Sequence, residues 1–236
     1  MIALLRYQAA ILLRSHRWIF PLIAYSVLVS AGAASATPLA GGLNWSAAML
    51  VPAVALLTRS MLTAEPDAAR ACVAAATGPV RAQLATLLTA LGGGVVLALA
   101  GACFEVLSDE SMAKPPLPGA LGKAEAACAR PGILMAGLGT AVVCLLVGSA
   151  AGALCNPPLL RHPPMALLAT VAAVVFALAS DISPADAALR DKGTAPQSAH
   201  WPGGVPFLTA ACLLAISWTA SVLAAAHRDA GSARTT

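Results

Sequence analysis

Residues 18–58 hold no Asp, Glu, Lys or Arg, and further uncharged runs follow at 82–104, 131–160, 163–180 and 193–226. A membrane-crossing helix needs about 20 predominantly apolar residues, within a range of roughly 17–25. The first run is too long for one such helix, and Thr37-Pro38-Leu39-Ala40-Gly41-Gly42-Leu43-Asn44 breaks it with turn-forming residues. Together the runs predict about six spans, at 18–36, 45–62, 82–106, 132–154, 164–180 and 206–226, of which the fifth is the shortest. The runs are continuous and lack the period-two alternation of a barrel, so the spans are helical. The fold class is therefore an all-α integral membrane protein, with a single six-span domain over 18–236.

The segments between the runs carry their own patterns. Residues 1–17 predict an amphipathic helix. At about 100° per residue Arg6, Arg14 and Arg17 fall within roughly 80° of one another, and Ile2, Leu5, Ala9, Leu12 and Leu13 cover the neighbouring arc. Such a helix lies in the membrane interface, its arginines reaching the headgroups. Between the second and third spans, residues 65–76 predict a short helix. Glu65 opens it, Pro66 suits its first turn, Asp67 complements its positive end, Arg70 follows, and Gly78-Pro79 supplies the stop. It is either a seat for a partner or a helix lying idle on the bilayer. Residues 183–192 predict another small helix, with Ser183 as N-cap, Pro184 as first helical residue, Asp186 in the first turn and Gly193 as stop. Gly148 and Gly152 form a G-x-x-x-G of the kind that lets helices pack closely in lipid. The run Gly92-Gly93-Gly94 either thins the third span for packing or marks a flexible point. Glu105, at the end of that span, reads as a solvated terminus.

Charge placement orients the chain. With six spans both ends share a side, which holds Arg6, Arg14, Arg17, Arg59, Arg70, Arg81, Arg161, Arg228 and Arg234. The other side holds Lys114, Lys123, Arg130, Arg190 and Lys192. Nine positives against five place both termini in the cytoplasm. Trp18, Trp45 and Trp201 stand at span ends, where an interfacial aromatic belt belongs. The first 36 residues also have the layout of a secretory signal ending in Ala34-Ser35-Ala36. The long, helix-patterned charged region before the apolar run argues against cleavage.

Composition removes most other functions. Of 236 residues 59% are hydrophobic and only 10% charged, against about a quarter charged in soluble domains. So little charge cannot cover a water-facing surface, which excludes a soluble enzyme and a disordered chain. The net charge of +4 is dispersed, with no basic stripe for nucleic acid. Six cysteines occur without a C-x-x-C pair, which speaks against a zinc site. They read as apolar packing residues, although Cys103 and Cys128 would share the outer, oxidising side where a bond is possible. No catalytic constellation is visible. Ser149 lies near a span end, and none of His16, His162, His200 and His227 lies inside a predicted span. Gly119-Ala120-Leu121-Gly122-Lys123-Ala124 lacks the spacing and final hydroxyl of a phosphate loop. No ionisable residue stands near the middle of a predicted span, which disfavours ion-driven transport.

Four features in this order resemble the permease subunit of an ABC-2 type transporter: the interfacial helix 1–17, six spans with both ends inside, the cytoplasmic helix 65–76, and the outer helix 183–192. The resemblance spans the whole chain and is one of architecture. The Ala-rich style, with Cys155-Asn156-Pro157-Pro158-Leu159-Leu160-Arg161, is similar to permeases of high-GC actinobacteria. One departure is that 183–192 is more polar than a re-entrant helix should be, which speaks against a buried outer gate. The resemblance implies a non-catalytic, multi-pass subunit of a bacterial plasma membrane that pairs with a second permease copy or a sister permease. It implies an ABC ATPase partner that holds ATP and Mg, with no cofactor on this chain. Glu65, Pro66, Asp67 and Arg70 would seat in that ATPase, Arg6, Arg14 and Arg17 would anchor the elbow helix, and Gly148 and Gly152 would pack helices. The alternative is a non-transporting membrane scaffold or assembly subunit.

The arginine distribution sets a first test. Reporters fused after Thr236 and within 107–130 are expected to label opposite sides of the membrane; labelling of one side by both removes the six-span arrangement.

Overall fold

The computed structural model describes residues 2–16, 18–33, 39–64, 67–108, 120–155, 163–180, 183–190 and 204–232. These residues form the helices α1 (Ile2–Arg14), α2 (Ile19–Ala33), α3 (Leu39–Leu62), α4 (Asp67–Thr77), α5 (Pro79–Ser108), α6 (Ala120–Leu154), α7 (Pro163–Ala179), α8 (Pro184–Arg190) and α9 (Gly204–Ser232). No strand occurs among the described residues. Among the described residues four helices are long and apolar enough to cross a membrane, at Leu39–Leu62, Pro79–Ser108, Pro131–Leu154 and Gly204–Ala224. The chain is thus an all-helical membrane protein. The first and fifth predicted spans correspond to α2 and α7, of 15 and 17 residues. At 1.5 Å per residue these reach only about 22 and 25 Å, against a hydrocarbon core of about 30 Å.

Several boundaries differ from the sequence pattern for identifiable reasons. The second predicted span opens at Leu39 and not at 45, because the expected turn residues Gly41, Gly42, Leu43 and Asn44 are helical. Asn44 uses its amide to donate to the Leu189 carbonyl (3.2 Å), which ties α3 to the last turn of α8. The fourth predicted span, 132–154, matches the apolar stretch Pro131–Leu154, but the helix that carries it begins earlier, at Ala120, with Pro131 inside. The intervening Ala124, Ala126, Ala127 and Ala129 are strong helix formers, and one proline removes only one backbone bond. Similarly, α9 continues beyond 226 to Ser232. The triple glycine is helical throughout. A methyl on Gly93 would meet Leu57 at 2.9 Å and one on Gly94 would meet Val54 at 3.1 Å, so these two positions serve packing.

Helix ends follow capping chemistry. Gly78 adopts φ +88° and donates to the Ala74 carbonyl (2.8 Å), closing α4. The carbonyl of the same residue accepts from Ala82 (3.1 Å), opening α5 at Pro79, where proline lacks no needed donor. A single residue therefore separates α4 from α5. His16, at φ +54°, turns the chain between α1 and α2. Ser183 caps α8 as its position predicts, its hydroxyl accepting from the Ala185 amide (3.3 Å).

The core is the parallel contact of α3 with α6, on which α5 packs antiparallel. Gly148 and Gly152 lie directly on the α3 backbone. A methyl at either would come within 2.7 Å of a carbonyl, that of Val51 or of Ala55. Leu50, Val51, Val54, Val143 and Cys144 between these helices are fully buried. Several buried hydroxyls donate within their own helices, as Thr86 to Ala82 O, Thr140 to Ala136 O and Ser149 to Leu146 O, whereas that of Thr58 has no partner among the described residues. On the opposite faces, Phe20, Ile23, Val96, Leu99, Leu168, Phe176, Leu208 and Ile216 are exposed. Apolar exposure on this scale belongs against lipid and not water.

Glycine contacts of this tightness are directly testable. Gly152→Ala is expected to lower thermal stability in detergent by about 1–3 kcal/mol, because α3 and α6 must part. Gly92→Ala, whose added methyl would meet nothing within 4 Å, is expected to be neutral or to stabilise by up to about 1 kcal/mol.

Candidate functional site: a buried carboxyl and phenol between α2, α3 and α5

One face of α5 points inward through Ala90, Gly94, Leu97, Gly101 and Glu105, all buried. Their spacing of four, three, four and four residues is that of a single helix face. Glu105 is therefore not a solvated terminus: it ends the inward stripe and keeps only 5% of its surface exposed. Phe104 and Leu107, on the outward face, are exposed.

Two glycines make room for this end of the stripe. Glu105 lies against the bare Cα of Gly42 on α3, where an added methyl would run into the carboxylate. One turn along α5, the Tyr25 phenol of α2 occupies the space that a Gly101 side chain would fill. Tyr25 is itself 4% exposed, and its hydroxyl donates to the Ser46 carbonyl of α3 at 3.4 Å. Gly42 and Ser46 are one turn apart on α3, as Gly101 and Glu105 are on α5. The arrangement therefore has two rungs, one bearing a carboxyl and one a phenol. Oε1 of Glu105 is fully enclosed and has no hydrogen-bond partner among the described residues. A narrow crevice continues from Tyr25 between α3, α5 and α6, lined by Leu43, Ser46, Ala98, Ala102, Gly137 and Leu138.

α8 is a second element that the sequence misplaces. The helix expected to be too polar for burial holds Ala185 and Ala188 at 0% exposure and Asp186 at 8%. Pairs of small residues and the Ser183 cap let seven residues sit against α6, α7 and α9. At the other end of α3, Arg59 donates to the Thr170 hydroxyl of α7 (3.4 Å). Cys155 stands beside them; burial pushes its thiol up, with Thr170 and Arg59 acting in the opposite direction.

The residues expected to matter functionally are dispersed. Arg6 and Arg14 are exposed on α1, whose buried side is Gln8. Arg17, Glu65 and Pro66 lie outside the described residues. Asp67 and Arg70 are in α4, their side chains outside the described residues. Both α1 and α4 pack against α5. Cys103 is an exposed free thiol, and the side chain of Cys128 lies outside the described residues. Among the described residues no three His, Cys, Asp or Glu side chains gather as a metal cluster. Comparison with known protein families, with curated proteins and with solved structures found no match.

The signal that could have found Glu105 is the small-residue stripe: a residue four after Gly101 and eleven after Gly94 must share their face. The Gly101–Tyr25 fit predicts a coupled response. Gly101→Ala is expected to lower the thermal midpoint in detergent by the equivalent of about 1–3 kcal/mol. Adding Tyr25→Phe is expected to recover part of that loss, because it deletes the oxygen that collides. A strictly additive double-mutant cycle overturns the contact.

Proposed function

We propose that the chain is the membrane-spanning permease subunit of an ATP-driven ABC-2 type exporter, working as a dimer with a second copy or a sister permease in a bacterial plasma membrane. The observation that carries this reading is α4. A connection between two core helices could be a few polar residues; instead the chain builds an eleven-residue helix that joins α5 through Gly78 alone and packs on it. Force applied to α4 is thereby applied to α5, and through it to the α3–α6 pair. The interfacial helix α1 rests on the same helix.

In this reading α4 and its start, with Glu65, Pro66, Asp67 and Arg70, face the cytoplasm and seat in a groove of the ATPase. The partner holds ATP and Mg and hydrolyses the nucleotide, and this chain transmits the closure. The translocation path runs between two permeases, and its apolar walls favour amphipathic or lipid-like cargo over ions.

The test is charge reversal at the start of α4. Asp67→Lys with Arg70→Glu is expected to leave membrane insertion intact while weakening co-purification of the ATPase about tenfold or more, since like charges across an interface oppose docking. ATP hydrolysis stimulated by transport is expected to fall with it. Unchanged association and stimulation would make α4 a surface connector and leave the chain a scaffold.

A further inference from the structure

We propose that Glu105 is a proton-binding site of the folded protein, and that its loading holds the end of α5 against α3. The argument begins with solvation. A carboxyl that is 95% buried, by difference from its 5% exposure, lies in a helix apolar enough to cross a membrane. There it must be neutral or paired with a cation. No described side chain supplies that cation. On α3 the residue facing it is Gly42, and neighbouring Asn44 gives its amide to Leu189. On α2 the facing group is Tyr25, whose hydroxyl is directed to the Ser46 carbonyl. On α6 the buried Cys144 lies near Tyr25, and Lys123, Glu125 and Arg130 have side chains outside the described residues. On α9 the described titratable side chain is Cys212, which is exposed. A phenol or a thiol carries no positive charge in either protonation state.

A metal ion fits this place poorly. It needs several converging oxygens, whereas the groups that the described residues place near this carboxyl are the Gly42 Cα and the Tyr25 phenol. A proton needs one oxygen and no room. The fit of Gly42 to the carboxyl is also what a small neutral group requires: two helices can close over an uncharged acid, and ionisation would draw water into a contact with no space for it. The site is independent of how α4 is driven, so its failure leaves the ATPase-coupling reading untouched.

Two measurements test it. The first uses the full-length wild-type protein in lipid vesicles with dicyclohexylcarbodiimide, an apolar reagent that adds to protonated carboxyls. Peptide mass spectrometry is expected to find the adduct on Glu105, with a rate that falls as pH is raised from about 5 to about 8. A water-soluble carbodiimide is expected to spare the same residue. No adduct on Glu105, a rate that does not change with pH, or equal labelling by the soluble reagent overturns the proposal. The second measurement compares the pH dependence of unfolding. The folded protein holds a proton that the unfolded chain releases, so wild-type stability is present at low pH and lost as pH rises. Glu105→Gln, which keeps the neutral shape, is expected to flatten that slope between about pH 5 and about pH 8. A slope identical to wild type also overturns it.

Discussion

Everything in this bundle depends on how closely α6 can approach α3. Lipid tails are as apolar as leucine, so no hydrophobic force presses helices together inside a bilayer; contact area and the absence of gaps must do so. Gly148 and Gly152 present bare Cα atoms to the carbonyls of Val51 and Ala55, a geometry in which backbone C–H groups meet backbone oxygens. That approach sets the depth at which Val54, Leu145 and Leu50 interdigitate, and hence where α5 can lie. Gly94, against both Val54 and Leu145, reads the resulting surface from a third helix. Removing one contact would therefore loosen three helices and not one.

The consequence for α5 is a helix of two characters. Its outward face carries Val96, Leu99, Phe104 and Leu107, all exposed and apolar, while its inward face is glycine, alanine and leucine ending in a carboxyl. Most buried serine and threonine hydroxyls elsewhere borrow carbonyls from their own helix, which makes them self-sufficient in an apolar medium. Glu105 has no such local remedy. A carboxyl in that position either costs the protein stability or does work for it, and the glycine opposite is shaped to it.

What was legible in the sequence divides along physical lines. Uncharged runs located every apolar helix, because exclusion of charge from lipid is a strong and one-dimensional rule. Caps were legible for the same reason of locality: Gly78 and Ser183 act on residues within four positions of themselves. Helix starts were less so. Gly41, Gly42 and Asn44 have turn chemistry, yet packing against Glu105 and α8 makes them helical, and that partner information lies far along the chain. The burial of α8 was misjudged likewise, since polarity was counted over the whole segment while Ala185 and Ala188 carry the contact. Orientation is read from the positive charges flanking the spans, which act through the bilayer and not through helix packing.

The single residue between α4 and α5 has a mechanical meaning. At 1.5 Å per residue α5, with 30 residues, is about 45 Å long, and α4, with 11, about 16 Å. Were the pair to pivot at Gly78, it would act as a bent lever whose long arm is nearly three times the short one. A tilt of about 5° would carry the far tip of α5 sideways by about 4 Å, more than the gap a water molecule needs. Leverage of that ratio would amplify displacement and reduce force.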